Sequence, residues 1–381
     1  MVRPRAIRFD RRSVLRGTLC GTALASLRAA GVAASPGKTQ RILVVAMSGG
    51  VRTKETLGTP DNVPNLKRLA DGGVVYPRTR AANLGHFGAT LALFTGVSEA
   101  YGIRENARGE DPTLFEYVRK DLGWGPEDVW VSTSGGTQEA NVAYSLHPDY
   151  GQRFAANTLD GDGVFNADFK AFLERYGKPR EMSPDELGLL DRMRGSIHTE
   201  LPDGTADPEA FGRVERFLLD ELKRGTQDLR GVGAADAKAL RVARNLMAVF
   251  RPRLMAVVLR DADVAHANFN SYVQVLRRND EMLGELLEAV GRDPELADTT
   301  SIFVLPEFGR DSDLNARRGL DHGDGSDDLR YVSLIASGPD FRKGAVVQEE
   351  VHTIDLCTTV CALLGANPRI SAGRRLPKLL G

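Results

Sequence analysis

The sequence predicts an α/β protein: a doubly wound, mostly parallel sheet flanked by helices, with a mostly helical insertion. Three observations predict it. "RILVVAM" at 41–47 is an unbroken apolar run cut off by "SGG". That is the pattern of a strand buried on both faces and leaving a parallel sheet at its C-terminal edge. Short apolar runs of this kind alternate with amphipathic stretches of helical period. Polar and acidic clusters follow the apolar runs, where open α/β sheets gather their sites.

The elements follow in order. "VPNLKRLADGG" is a short amphipathic helix stopped by glycines, and "GVVYPRTR" is a second strand. "NLGHFGATLALFTG", residues 83–96, is a loop entering an apolar helix, with His86 where the helix should begin. "PTLFEYVRKDLG" reads as helix and "EDVWVSTS" as strand. From about 145 to 233 the pattern changes to charged amphipathic pieces with Gly/Asp/Pro joints and no strong strands, the expected helical insertion. Alternation then resumes: helix "AKALRVARNLMAVF", strand "RLMAVVL", long helix "NSYVQVLRRNDEMLGELLEAVG", strands "TTSIFVL" and "YVSLIASG", and a closing helix "VHTIDLCTTVCALLG". In that last helix Cys357 and Cys361 are spaced i,i+4, on one face, as small core residues rather than a disulfide.

The chain has 381 residues, 42% hydrophobic and 27% charged, ordinary for a globular protein with a sizeable core. No apolar run reaches the roughly 20 residues of a transmembrane span. The N-terminus reads as a targeting segment. Arg11–Arg12 precede a weakly hydrophobic Ala/Gly-rich stretch that ends in small residues, as in a twin-arginine (Tat) export signal. Cleavage after Ala34 would leave residues 35–381 as the mature domain, in the periplasm or outside the cell, with the Tat translocon as a partner during export. The leader holds seven arginines and one aspartate, so the mature chain would carry 43 Lys+Arg against 50 Asp+Glu. A net acidic chain argues against a general nucleic-acid binder.

Four strand ends carry polar clusters: "MSGGVR"; "RDADVAH" with Asp261, Asp263 and His266; "PEFGRDSD" with Glu307 and Arg310; and "GLDHGDGSDD", with Asp321 and His322, ahead of the last long strand. Acids and histidines on several loops suit a divalent metal held across them, although acidic loops are also commonly just solvated.

The order of the segments resembles the alkaline-phosphatase-like superfamily, which includes nucleotide pyrophosphatases, sulfatases and cofactor-independent phosphoglycerate mutases. "ILVVAMSGG" is similar to the opening strand and metal loop, and "VPNLKRLADGGVVYPRTR" to the segment after it. "HFGATLALFTG" resembles the nucleophile helix ending in Thr-Gly, and "RDADVAHANFNSYVQVLRRNDEMLGELLEAV" the Asp…His loop and its helix. "GLDHGDG", "LIASGPDFRKGAVV" and the closing helix resemble the late histidine loop and the last elements, over about 41–366 apart from the insertion. Combined with the leader, the "EFGR…DH" wording is similar to a divergent exported branch.

The departures carry as much information. Ser48 stands where the superfamily's first strand ends in a metal-binding aspartate, and Glu307–Phe308 stand where it carries Asp-His. His86 stands at the nucleophile position, ten residues before Gly96, without the following proline and arginine of a sulfatase. The resemblance therefore implies one divalent metal, zinc or similar, on Asp261 or Asp263, His266 and His322, with the second metal site lost. His86 reads as a further ligand, as a nucleophile or general base, or as structural. Glu307 reads as a ligand or general base, or as a salt-bridge partner of Arg310. Ser48, Arg52 and Arg310 could contact an anionic substrate or be structural. Thr90 reads as packing, Asn83 as a helix cap, and His147, His198 and His352 as structural. The expected function is an exported metal-dependent hydrolase acting on a phosphate or sulfate ester through a non-standard mononuclear site, its partner a small anionic substrate or an envelope component. The alternative is a degenerate member that binds a ligand or envelope partner without turnover.

Overall fold

A computed structural model describes residues 37–98, 108–134, 141–160 and 229–381, with Arg213, Arg216 and Phe217 besides. The expected leader, His198 and most of the expected insertion lie outside the described residues. Strands β1 (Arg41–Met47), β2 (Val74–Arg80), β3 (Val129–Thr133), β4 (Asn157–Asp160), β5 (Leu254–Leu259), β6 (Thr300–Pro306), β7 (Tyr331–Ser337), β8 (Ala345–Val346) and β9 (Val351–His352) form one sheet. Its order is β4-β3-β5-β1-β6-β7-β2-β8, with β9 also beside β2.

β1 lies at the centre, parallel to β5 on one side (Ile42 opposite Leu254) and to β6 on the other (Val44 opposite Phe303). Its residues alternate between two apolar layers. Leu43, Val45 and Met47 pack with helices α1 (Pro64–Gly72), α4 (Ala234–Phe250) and α5 (Phe269–Arg292). Ile42, Val44 and Ala46 pack with α2 (His86–Thr95), α3 (Leu114–Leu122) and α6 (Asp355–Leu364). Two-sided burial is why the strand reads as a continuous apolar run. Each Leu, Ile or Val so buried stabilises the fold by about 1.5–3 kcal/mol. Cys357 and Cys361 lie in the second layer as buried, unbridged thiols.

The sheet is mostly parallel, as predicted, but β7 runs antiparallel to both β6 and β2. Its start, Tyr331, therefore sits at the edge where β1, β5 and β6 end. This reversal delivers the loop before β7, with His322, to the same rim. β4, "NTLD", falls within the stretch read as helical and strandless. Among the described residues it pairs with β3 alone, and its polar side chains Asn157 and Thr158 are buried, the Asn157 amide donating to Pro126 O at 2.7 Å.

Helix ends fix how the helices enter this rim. α2 stops at Gly96, left-handed with φ 73°, a conformation glycine adopts without a Cβ penalty. The buried Asp280 carboxylate on α5 accepts the backbone N–H groups of Asn65 and Leu66 at 3.0 and 2.8 Å. It thereby caps the start of α1 with a negative charge. No helix among the described residues is long and apolar enough to cross a membrane.

Candidate metal centre

The chain leaves β1 through Ser48, whose N–H donates to Leu259 O at 2.6 Å. The next two glycines are demanded by close approach. A Cβ on Gly49 would lie 2.5 Å from Arg260 O; one on Gly50, which has φ +65°, would lie 2.7 Å from Arg310 Nε. The "SGG" sequence thus makes a channel for the Arg310 side chain as well as a turn.

His86 is the first residue of α2, after an N-cap glycine with no side-chain cap. Asn83 instead folds the approach, its Oδ1 accepting the Gly85 N–H at 2.9 Å. After β5 the chain makes a 3₁₀ turn, Asp261–His266. With three residues per turn, residues i and i+3 eclipse, so Asp263 and His266 stand together, Oδ1 and Nε2 3.3 Å apart. Asp261 faces elsewhere, its carboxylate accepting Asp236 N–H at 3.0 Å in the first turn of α4.

Three imidazoles converge. Ring centroids are 4.8 Å apart for His86 and His322, 4.9 Å for His266 and His322, and 6.4 Å for His86 and His266. Each Nδ1 faces an accepting oxygen: Glu307 Oε1 at 2.5 Å from His86, Asp321 Oδ1 at 2.7 Å from His266, and Leu84 O at 3.0 Å from His322. Those oxygens accept from an N–H at each Nδ1, which leaves Nε2 as the atom a metal would take, on His86 by displacing the second proton that its acidic neighbours favour. A carboxylate or carbonyl behind the ring is the usual means of orienting a metal-binding histidine. One nitrogen from each ring lies within 4.8 Å of the others.

The acids sharpen the picture. Asp263 Oδ1 is 2.9 Å from His86 Nε2 and 2.6 Å from Arg310 Nη2. The contact to His86 is close enough for charge attraction but not aligned as a hydrogen bond, and His86 Nε2 is buried without a hydrogen-bond partner. A cation between the nitrogens and Asp263 would satisfy that atom. Three imidazoles and a carboxylate form a donor set suited to zinc or a similar divalent ion. By this test the residues fit a single metal. Ser48 Oγ is a second buried polar atom with no partner at this rim.

Charge states follow from the packing. Burial disfavours the His86 imidazolium, yet Asp263 and Glu307 outweigh burial and push its pKa up to about 9. The start of α2, which by itself repels a cation, is outweighed too. Burial would raise the Asp263 carboxyl, but His86 and Arg310 hold it well below the usual carboxylate range. Burial pushes the fully enclosed Glu307 carboxyl up, against the pull of His86, Thr90 and Arg310. His322 is lowered, first by burial and then by its cationic neighbours, His86 and Arg310 foremost.

Comparison with solved structures decides the fold. Wild-type alkaline phosphatase PafA superimposes with a TM-score of 0.59 at 10% identity, over 92% of this chain and 100% of that one. The phosphonate monoester hydrolase of Agrobacterium radiobacter gives 0.52 at 13% identity, over 89% of this chain and 77% of that one. A Vibrio parahaemolyticus protein in the alkaline phosphatase superfamily gives 0.50 at 12% identity, over 91% and 72%. This chain has the alkaline-phosphatase-like fold. No protein-family model and no curated sequence matches it.

Within the alkaline-phosphatase-like fold, the structure brings together Ser48, His86, Asp263, His266, Glu307, Arg310 and His322. It does not bring Asp261 or Arg52 into the cluster. The Arg52 guanidinium is buried against Glu55, at 2.8 and 2.6 Å, and against the carbonyls of Asp311 and Ser312. Three residues take roles that the sequence did not assign to them. The Thr90 hydroxyl, taken as packing, donates to Glu307 Oε2. Asp321 backs His266. The buried Phe308 ring lies 4.8 Å from His86 and 5.1 Å from His322, walling off one side. The i,i+4 spacing of His86 and Thr90 on one helix face was the available signal for Thr90.

Proposed function

We propose that the protein is an exported, metal-dependent hydrolase of phosphate or sulfate esters with one divalent metal held by His86, His266, His322 and Asp263. The observation that carries this reading is the convergence of three imidazoles, each backed at Nδ1, with Asp263 Oδ1 2.9 and 3.3 Å from the Nε2 atoms of His86 and His266. When bound, such an ion supplies Lewis acidity toward an ester oxygen. Glu307, steadied by Thr90, holds the proton on His86 Nδ1 and fixes that ring. Phe308 keeps water from one side of the cluster. Ser48 Oγ offers a buried donor to a substrate oxygen, and the N-terminus of α2 favours an anion beside it. Solved neighbours with this fold are named as an alkaline phosphatase and a phosphonate monoester hydrolase, which supports an anionic ester as substrate class.

Metal analysis of the purified protein after refolding with divalent metals tests the centre. About one equivalent is expected; less than about 0.3 equivalents of any ion would sink the proposal. With metal present, phosphomonoester, phosphodiester and sulfate-ester turnover should fall at least a hundredfold in His322→Ala, and equal rates would mean the wrong cluster. Export is tested by Arg11→Lys with Arg12→Lys, which should retain the full-length precursor in the cytoplasm; unchanged processing would discard the twin-arginine signal. A second reading, ligand binding without turnover, is favoured by one feature: the cluster already satisfies most of its own charges through Arg310. Metal binding without any turnover would select it.

A further inference from the structure

Arg310 has five N–H donors, and each has an acceptor. Nε reaches Gly50 O at 3.3 Å; Nη1 reaches His266 Nε2 at 2.9 Å and Leu320 O at 3.3 Å; Nη2 reaches Asp263 Oδ1 at 2.6 Å and Gly49 O. The side chain is completely enclosed. No donor is left for a substrate, so the expected role of Arg310 in substrate binding is not what its geometry provides. Its partners are one carboxylate oxygen, one imidazole lone pair and three carbonyls. That is a set of ligands for a cation, and it draws on three loops: those after β1 and β5 and the one joining β6 to β7.

One of those ligands is in dispute. His266 carries its proton on Nδ1, facing Asp321, so Nε2 has a single lone pair. Arg310 Nη1 can only donate and therefore occupies that lone pair. A metal on His266 would need the same one.

Resting on the metal-centre reading, we propose that Arg310 is a resident cation of this centre. It holds His266 and Asp263 in place in the metal-free protein, and metal entry is a substitution in which Nη1 leaves His266 Nε2. The guanidinium, anchored by its three carbonyls, stays beside the ion as a fixed positive charge. It then sets how tightly the metal is held. This is a positioning role with a measurable signature. A purely structural arginine, when removed, would loosen the loops and weaken metal binding. A competing cation, when removed, frees a lone pair and takes a positive charge away from the site, so metal binds more tightly.

The test is zinc affinity of the full chain, by competition with a chromogenic chelator, for wild type and the neutral, similarly long Arg310→Met. At least a tenfold tighter binding is expected in the variant. Equal or weaker binding, in a variant with wild-type circular dichroism, overturns the proposal and leaves the metal centre standing. No zinc in either protein overturns both. Should Arg310→Met not fold, the zinc-loaded wild-type crystal structure decides. Nη1 is expected beyond about 3.5 Å from His266 Nε2, outside hydrogen-bond reach. An ion bound with that hydrogen bond intact would overturn the substitution.

Discussion

Thr90 stands one turn along α2 from His86, and both side chains reach Glu307 from the same side. A carboxylate with no exposed surface depends on such partners, because an unsatisfied buried acceptor costs about 1–3 kcal/mol. Thr90→Val keeps the shape and deletes the donor. A lower melting temperature and weaker zinc binding are expected from calorimetry and chelator competition; a variant indistinguishable from wild type in both would remove Thr90 from the site. At this scale the sequence was informative about His266 and His322, because their loops follow or precede apolar strands and match the order of a known superfamily. It could not say that Asp263 rather than Asp261 joins them. That choice depends on a 3₁₀ turn, whose three-residue period pairs 263 with 266. Nor could it expose the support of Asp321 or Thr90: each partner lies far off in sequence, and no periodicity encodes such a contact.

At the scale of elements, strands buried on both faces were plain to read, because parallel packing makes them uniformly apolar. The direction of β7 was not, since an apolar run looks the same either way. β4 was hidden because it is four residues long and two of them, Asn157 and Thr158, are polar though buried. The joint between α4, α5 and the end of β5 shows what such reading leaves out. Asp236, buried on α4, accepts the N–H groups of Arg260 and Asp261 at 2.8 and 3.1 Å and Asn279 Nδ2 at 2.6 Å. Burial first, and then the charge of Asp261, push its carboxyl from 3.8 up to about 6, beyond what its hydrogen bonds recover. A carboxyl raised on folding stabilises fully below its unfolded value, and that contribution is lost as pH rises through the folded one. Urea unfolding should therefore show the advantage of wild type over Asp236→Asn shrinking between about pH 4 and pH 6. An advantage that is constant across that range would show that this carboxyl does not titrate there.

At the scale of the whole molecule, the order of segments proved more legible than any residue within them. The alkaline-phosphatase-like fold survives at 10% identity to PafA because apolar layers tolerate exchange of side chains when volume and pattern are kept. The three positions read from the sequence as departures, Ser48, His86 and Phe308, lie together at the rim and not in those layers.

The central place of β1 has a consequence for how the chain comes into being. Both of its hydrogen-bonding neighbours, β5 and β6, are encoded more than two hundred residues downstream. At about 5–20 residues per second, synthesis takes on the order of ten to forty seconds to reach the first of them. For that time a segment of seven residues, rich in β-branched and aliphatic side chains, has emerged from the ribosome with no native partner on either edge. Folding is committed late, through contacts of large sequence separation, which are the slow ones to form. The strand at the centre of the sheet is thus among the first made and the last paired, and the rim cluster at its C-terminal end waits on that pairing.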